Sequence, residues 1–260
     1  KNAIFMTWGG DYFNYRIVKT ADLPPDRNYV VGSHPHGIMC LGMTQSFASY
    51  LNGMPDLFPG IKTWSVTLIG QFLYPLRREL MMICGTGASS KRNLKYILNQ
   101  EDKGHAVALT VGGLNEAIMS APGKYHLKLK DRKGFITVAL TEGADLVPMF
   151  HFGENETYKP VCGICPKRLR NMQTRVIKYY GFVPPIMIGR SLVGLPWGGI
   201  MPLKVHLVTV VGAPIRVEKN PNPTKEEIDK LHAVYCKSLI DLFEAHKANY
   251  GIRPEQKIII

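Results

Sequence analysis

Four strand-like runs constrain the fold of this 260-residue chain most strongly. They span residues 29–33, 106–111, 145–150 and 205–211. The last three are almost wholly apolar, which is typical of strands covered on both faces. Helix-like stretches alternate with them at 44–51, 90–98 and 133–140. No linker divides the chain, so we predict one α/β domain over residues 1–260, with a mostly parallel sheet flanked by helices.

The clearest helix signal lies near the C-terminus. Thr224 is the expected N-cap, and Glu227, three residues later, completes a capping box. Apolar side chains then follow at helical spacing: Ile228, Leu231, Tyr235, Leu239, Leu242 and Phe243. This pattern predicts a helix that runs to about His246 and packs its apolar stripe against the core.

The net charge of +12, from 32 basic and 20 acidic residues, indicates an anionic partner. Nucleic acid, an acidic membrane surface and a phosphate-bearing co-substrate all fit that charge. The chain carries no nucleic-acid recognition signature, so we expect no nucleic-acid partner. Its five cysteines favour a reducing compartment, and the isolated Cys162–Cys165 pair predicts no metal site.

No apolar segment is long enough to span a membrane. Residues 63–76 carry no charge but include several polar side chains, which favours a core or membrane-interface segment. The chain starts at Lys1 and has no signal peptide. We therefore expect a fragment, and the missing N-terminal part leaves room for a membrane anchor.

The tetrapeptide His34-Pro35-His36-Gly37 directly follows the first strand-like run. It places two imidazoles at the C-terminal edge of a strand, where α/β sheets bind ligands. Histidine can take a proton near neutral pH, and the chain has neither a G-x-S-x-G elbow nor histidines at metal-ligand spacing. General-base catalysis on a hydroxyl is the simplest interpretation. A structural turn with one histidine hydrogen-bonded in the core is the alternative.

Such a base needs a carboxylate that fixes its tautomer. Glu116 follows the second strand-like run, and the paired glycines Gly112 and Gly113 predict a tight turn at the same sheet edge. We expect Glu116 to orient His36, and amides near Gly37, Gly112 and Gly113 to hold an oxyanion. The alternative for Glu116 is a surface or helix-capping carboxylate.

Two pairs of adjacent cations lie at the starts of helix-like stretches. Arg132 and Lys133 precede Gly134 at a predicted helix start, a setting that suits phosphate groups. Lys91 and Arg92 are a second pair at the start of another helix-like stretch. The alternative for Arg132 and Lys133 is a solvated basic turn.

Taken in order, four motifs resemble the type 2 diacylglycerol acyltransferase family, which includes the monoacylglycerol and wax-alcohol acyltransferases. They are His34-Pro-His-Gly37, Gly112-Gly-x-x-Glu116, Arg132-Lys-Gly-Phe135 and Phe152-Gly-Glu-Asn155. The resemblance covers nearly the whole chain. The chain departs from the family pattern at three places: Asn14, Thr137 and the spacing between Trp197 and Pro202.

The resemblance implies acyl transfer from acyl-CoA, as co-substrate, to an acylglycerol, with no metal or other cofactor. It also implies a fold related to the glycerophosphate acyltransferases and an endoplasmic reticulum membrane location, with the site facing the cytosol or the membrane interface; lipid droplets are a second location. His36 is then the essential histidine, His34 supports it, and Glu116 is the matching carboxylate. Arg132, Lys133, Lys91 and Arg92 would meet the phosphates of coenzyme A.

Stretches at 89–92, 122–127 and 217–227 look closer to the monoacylglycerol acyltransferases. We therefore expect a 2-monoacylglycerol acceptor. Diacylglycerol or a wax alcohol is the alternative acceptor. A non-catalytic lipid-binding protein at a membrane surface is the alternative from a different class.

Overall fold

The computed structural model describes residues 5–49, 52–160, 171–172, 175–176, 187–191 and 198–260. Its strands are β1 Arg16–Lys19, β2 Tyr29–His34, β3 Lys62–Thr67, β4 Thr86–Ala88, β5 His105–Thr110, β6 Asp145–Phe152, β7 Lys159–Pro160, β8 Met187–Ile188 and β9 Val208–Val211. Its helices are α1 Phe5–Tyr12, α2 Leu41–Phe47, α3 Met54–Leu57, α4 Arg77–Ile83, α5 Lys91–Leu98, α6 Leu114–Ala117, α7 Gly134–Glu142 and α8 Lys225–His246. Short 3₁₀ helices span Ile69–Leu73, Glu154–Glu156 and Lys247–Tyr250.

Seven strands form one sheet in the order β1-β9-β6-β2-β5-β3-β4. All neighbouring strands in it are parallel except β6 and β9, which are antiparallel. β7 and β8 pair separately. The predicted α/β architecture with a mostly parallel sheet is therefore confirmed.

The central strand β2 contributes to a core on each face of the sheet, because successive side chains of a strand point to opposite sides. Val30 packs in the cluster that contains α5, α7 and α8 residues. Tyr29 and Val31 pack in the other cluster, with Met43 and Phe47 of α2. All six residues of β2 are buried, as a strand covered on both faces requires.

α8 confirms the C-terminal prediction in detail. The Thr224 side chain accepts from the Glu227 amide, and the Glu227 carboxylate accepts from the Thr224 amide. Of the apolar stripe, Tyr235, Leu239, Leu242 and Phe243 are buried in the core.

Other boundaries differ from the predictions. The strand expected at 205–211 is β9, four residues long, and the helix expected at 44–51 is α2, which begins at Leu41. The uncharged segment 63–76 divides into β3 and an exposed stretch beyond it. Strands β1, β3 and β4 gave no recognised sequence signal, since β1 and β4 are short and β3 begins with an exposed lysine.

Cys162, Cys165 and Trp197 lie outside the described residues.

Within the described ranges, none of the helices combines the length and the apolar character that a membrane crossing requires.

Candidate active site

The predicted site residues meet at the C-terminal ends of three neighbouring strands. β2 lies between β5 and β6, with Ser33 in register with Thr110 and His34 in register with Phe150. The chain that follows each strand therefore leaves the sheet at the same edge. This arrangement brings His36, Glu116 and a further carboxylate, Glu154, around one turn.

His36 is buried, with 8% of its surface exposed, and its Nδ1 lies 3.0 Å from the Gly37 carbonyl oxygen. A carbonyl can only accept, so this bond assigns the ring proton to Nδ1. Burial lowers the pKa of His36 below its ordinary value. The ring is thus neutral near pH 7, and Nε2 holds the lone pair that can take a proton.

The Cys40 thiol lies against the same ring. Its Sγ is 3.3 Å from His36 Nδ1 and 3.4 Å from Nε2. Burial, with the nearby Glu154 carboxylate adding to it, raises the pKa of this thiol well above its ordinary value. Cys40 therefore stays protonated near neutral pH and is poorly suited to act as a nucleophile.

Glu116 is buried in the α6 turn, and both of its carboxylate oxygens accept backbone hydrogen bonds. Oε1 accepts from the His36 amide at 2.6 Å, and Oε2 accepts from the Lys128 amide at 2.8 Å. Burial raises the Glu116 pKa against the lowering effect of these two bonds. We expected Glu116 to contact the imidazole; the structure instead has it holding the backbone of the histidine turn.

Glu154, which the sequence reasoning did not single out, holds the other end of that turn. Its Oε1 accepts from the Leu41 amide at 3.0 Å and its Oε2 from the Gly42 amide at 2.6 Å. These two amides open helix α2, whose positive end favours a carboxylate. Complete burial raises the Glu154 pKa to about 7. Its sequence signal was the Phe152-Gly-Glu-Asn155 motif at the end of β6.

Two glycines make room for these carboxylates. A Cβ at Gly37 would collide with the Glu154 carboxylate, and a Cβ at Gly112 would collide with the Glu116 carboxylate. Gly37 also has a φ of +60°, which glycine adopts without strain. The glycines of both motifs are therefore explained by close packing of a buried glutamate.

The amides of the predicted oxyanion-binding glycines differ in availability. The Gly113 amide donates to the Thr110 carbonyl at 3.3 Å, so part of its capacity is used in the turn. Among the described residues, the amides of Gly37 and Gly112 have no hydrogen-bond acceptor. The structure thus leaves Gly37 and Gly112 as the available donors.

His34 is fully buried and contacts α8. Its Nε2 lies 3.0 Å from the Tyr235 hydroxyl, which also donates to the Gly32 carbonyl at 3.2 Å. Because the tyrosine proton goes to Gly32, His34 donates through Nε2, and its Nδ1 finds no partner among the described residues. Burial lowers the His34 pKa to about 3. His34 is therefore a neutral ring that joins β2 to the C-terminal helix.

A chain of buried polar side chains lies beside the histidine turn. His151 Nε2 is 2.7 Å from Ser33 Oγ, and His151 Nδ1 is 2.8 Å from Thr209 Oγ1. Tyr15 donates to the same Thr209 hydroxyl at 2.7 Å. This chain joins β2, β6 and β9 and satisfies polar groups that would otherwise be costly to bury.

The four predicted phosphate-binding cations lie in different settings. Lys133 donates to Asp229 of α8 at 2.6 Å, so its charge is already paired. Arg132 is exposed, and its charge lowers the Glu116 pKa, which places it near the site. Lys91 and Arg92 are exposed at the start of α5, directly beyond β4. They share the sheet edge with His36 but lie three strands away from β2.

The family model described as "Diacylglycerol acyltransferase" matches residues 1–260. The chain is 43% identical over 242 residues to human "2-acylglycerol O-acyltransferase 3", a match covering 93% of this chain and 71% of that protein. It is 40% identical over 250 residues to "Diacylglycerol O-acyltransferase 2" of Danio rerio, covering 96% and 69%.

Among solved structures, the chain is similar to the 1-acyl-sn-glycerophosphate acyltransferase PlsC from Thermotoga maritima. The TM-score is 0.48 at 11% identity, and the match covers 92% of this chain and 78% of that one.

Proposed function

Because this chain belongs to the diacylglycerol acyltransferase family, we propose that it transfers an acyl group from acyl-CoA to a hydroxyl of an acylglycerol, with His36 as the general base. The observation that carries the mechanism is the contact of His36 Nδ1 with the Gly37 carbonyl oxygen, which assigns the tautomer. Nδ1 is tied to the Gly37 carbonyl, which leaves Nε2 as a proton acceptor at the edge of the sheet.

The reaction is a direct transfer. The acceptor hydroxyl oxygen attacks the thioester carbonyl carbon while its proton passes to His36 Nε2. The tetrahedral intermediate then collapses, the C–S bond breaks, and the coenzyme A sulfur leaves as a thiolate that recovers the proton from the imidazolium. The raised pKa of the Cys40 thiol supports this route over an acyl-cysteine intermediate.

The developing oxyanion needs donors that no other group occupies. The amides of Gly37 and Gly112 fit this need, since neither has an acceptor among the described residues. Glu116 and Glu154 support the site indirectly, because together they fix the backbone from His36 to Gly42. Their role is positioning rather than contact with the substrates.

The distance of each cation from the histidine turn decides which part of coenzyme A it suits. Neighbouring strands lie about 4.8 Å apart, so the start of α5 is about 14 Å from β2 across three strand spacings. The pantetheine arm of coenzyme A can bridge such a gap between thioester and phosphates. Lys91 and Arg92 thus suit the phosphates, and Arg132 suits a contact nearer the thioester. Lys133 is the weakest of the four, because it is paired with Asp229.

We favour a 2-monoacylglycerol acceptor and keep diacylglycerol as the alternative. The similar proteins carry both kinds of name. Three stretches support the monoacylglycerol choice by resemblance: 89–92, 122–127 and 217–227. We also propose a location at the endoplasmic reticulum membrane or the lipid-droplet surface, where these water-insoluble acceptors accumulate.

Microsomes that contain the full chain and labelled acyl-CoA test activity and acceptor together. With 2-monoacylglycerol added, we expect labelled diacylglycerol, and with His36→Ala only background. Faster labelling of triacylglycerol from added diacylglycerol would assign the alternative acceptor. Binding of acylglycerol without turnover of acyl-CoA would support a lipid-binding protein instead.

A further inference from the structure

Residues 68–83, which directly follow β3, form an exposed apolar surface. Eight of the sixteen exposed large hydrophobic side chains in the described part of the chain fall in this segment. They are Leu68, Ile69, Leu73, Tyr74, Leu76, Leu80, Met82 and Ile83. Leu73 is 79% exposed and Leu76 is 84% exposed. None of the seven residues of α4 is buried either.

This apolar surface adjoins the candidate site. It begins directly after β3, whose C-terminal end shares the sheet edge with the ends of β2 and β5. It ends at Cys84, which is buried against Ala48 at the end of α2. Helix α2 in turn starts four residues after the Gly37 turn, where Met39 is another exposed apolar side chain. The exposed surface therefore begins at the edge of the sheet that carries His36.

The charges on this surface favour an anionic lipid layer as the occupant. Arg77 and Arg78 are the basic residues of segment 68–83, and its one acidic residue, Glu79, pairs with Arg78. Arginine side chains can lie along apolar surface and direct their charge to lipid headgroups. Interfacial segments combine apolar side chains that enter the lipid with basic side chains that meet the headgroups, and residues 68–83 carry both kinds.

We propose that residues 68–83 dock the protein on a lipid surface that contains anionic headgroups, with the apolar side chains inserted into the lipid at the sheet edge that carries His36. The proposal rests on the proposed function for the nature of the acceptor. A lipid-dissolved substrate would then reach the site without crossing water.

The test measures binding of the full chain to vesicles by flotation, which requires no acyl transfer. One set of vesicles is phosphatidylcholine alone, and the other contains about one-fifth phosphatidylserine. The double variant Leu73→Ser with Leu76→Ser removes the two most exposed leucines of the surface. The matched control is Tyr96→Ser with Val234→Ser. These side chains are also exposed and apolar, but they lie on α5 and α8, outside residues 68–83.

We expect stronger binding to the phosphatidylserine vesicles than to phosphatidylcholine alone. The leucine variant should bind at least about tenfold more weakly, because serine lacks the favourable free energy of moving a leucine side chain from water into lipid. The control should bind like the wild type, and both variants should melt like it, since none of the four side chains is buried. Equal binding by the wild type and the leucine variant would overturn the proposal. Concentration-dependent dimerisation that only the leucine variant loses, with vesicle binding unchanged, would assign the surface to a second copy of the chain.

A protein that binds vesicles as expected but lacks acyl transfer would refute the proposed function and leave the docking surface standing.

Discussion

At the scale of single residues, one bond decides which nitrogen of His36 can act. The sequence predicted that this histidine lies at a strand end, and the structure places it there. The sequence could not predict that a carbonyl, rather than Glu116, would fix the tautomer. That choice depends on the local path of the turn, which the positive φ of Gly37 and the packing of Glu154 determine.

Replacing His36 by Ala should lower kcat roughly a hundred- to ten-thousand-fold, because a positioned base contributes about that much. His34→Ala should be milder. His126→Ala is the matched control, since this histidine is exposed. Purified variants should be compared for acyl transfer and thermal unfolding. Near-normal turnover of a folded His36→Ala protein would refute the mechanism.

The pH profile of kcat/KM should extend further into acid than an ordinary histidine allows. A base must be neutral to act, and burial lowers the His36 pKa. Activity should therefore stay level as pH falls through about 6.5, the ordinary value, and drop only below it. An acid limb centred at or above that value would show that another group, or an exposed His36, controls the rate.

Glu116→Gln should lower kcat with little change in the KM for acyl-CoA. The amide keeps one acceptor but turns an NH₂ group toward the His36 or Lys128 amide. A lost buried hydrogen bond costs about 1–3 kcal/mol of unfolding free energy, and a displaced His36 slows the chemical step. Glu101→Gln, at an exposed position, serves as control. A rise in KM at constant kcat would place Glu116 in substrate binding.

At the scale of elements, the site depends on how helix α2 begins. Helix periodicity predicted a start at residue 44, but α2 begins at Leu41, where Glu154 accepts its first amides. This contact joins residues more than a hundred positions apart, so local pattern could not reveal it. The C-terminal helix was predicted well because its capping box is local and its stripe is long.

Glu154 should make stability fall as pH rises. Its pKa is raised from 4.5 to about 7 in the folded chain, so folding favours the protonated carboxyl. The favourable contribution is complete below about pH 4.5 and is lost as pH increases to about 7, a change of about 3 kcal/mol at most. Denaturant unfolding of wild type and Glu154→Gln across this range measures the difference.

The glutamine variant lacks this titration, so the wild type should lose free energy of unfolding relative to it between pH 4.5 and 7. A constant difference between the two proteins would show that Glu154 has an ordinary pKa.

At the scale of the whole molecule, strand order determines which charges can serve the site. The sequence predicted the strands and the adjacent cations, but not their order across the sheet. Parallel pairing places β4, and with it Lys91 and Arg92, at the edge strand. Lys133 differs because α8 packs beside α7 and supplies Asp229, a contact between residues 96 positions apart.

The double variant Lys91→Ala with Arg92→Ala should weaken acyl-CoA binding by about two- to thirtyfold, since exposed ionic contacts contribute about 0.2–1 kcal/mol each. Salt screens such contacts, so the loss should be larger at low ionic strength. Lys133→Ala is the matched control, because its charge pairs with Asp229. Isothermal titration at two salt concentrations measures the effect. Unchanged affinity at both would move the phosphates to Arg132.

The bond between His34 and Tyr235 has a consequence for biosynthesis. The two residues are 201 positions apart, and the ribosome makes the histidine turn long before the helix that completes it. While α8 is still being synthesised, the His34 ring lacks its hydroxyl partner and one side of the core stays open to water. The histidine turn therefore gains its contact with Tyr235 only after α8 has left the ribosome.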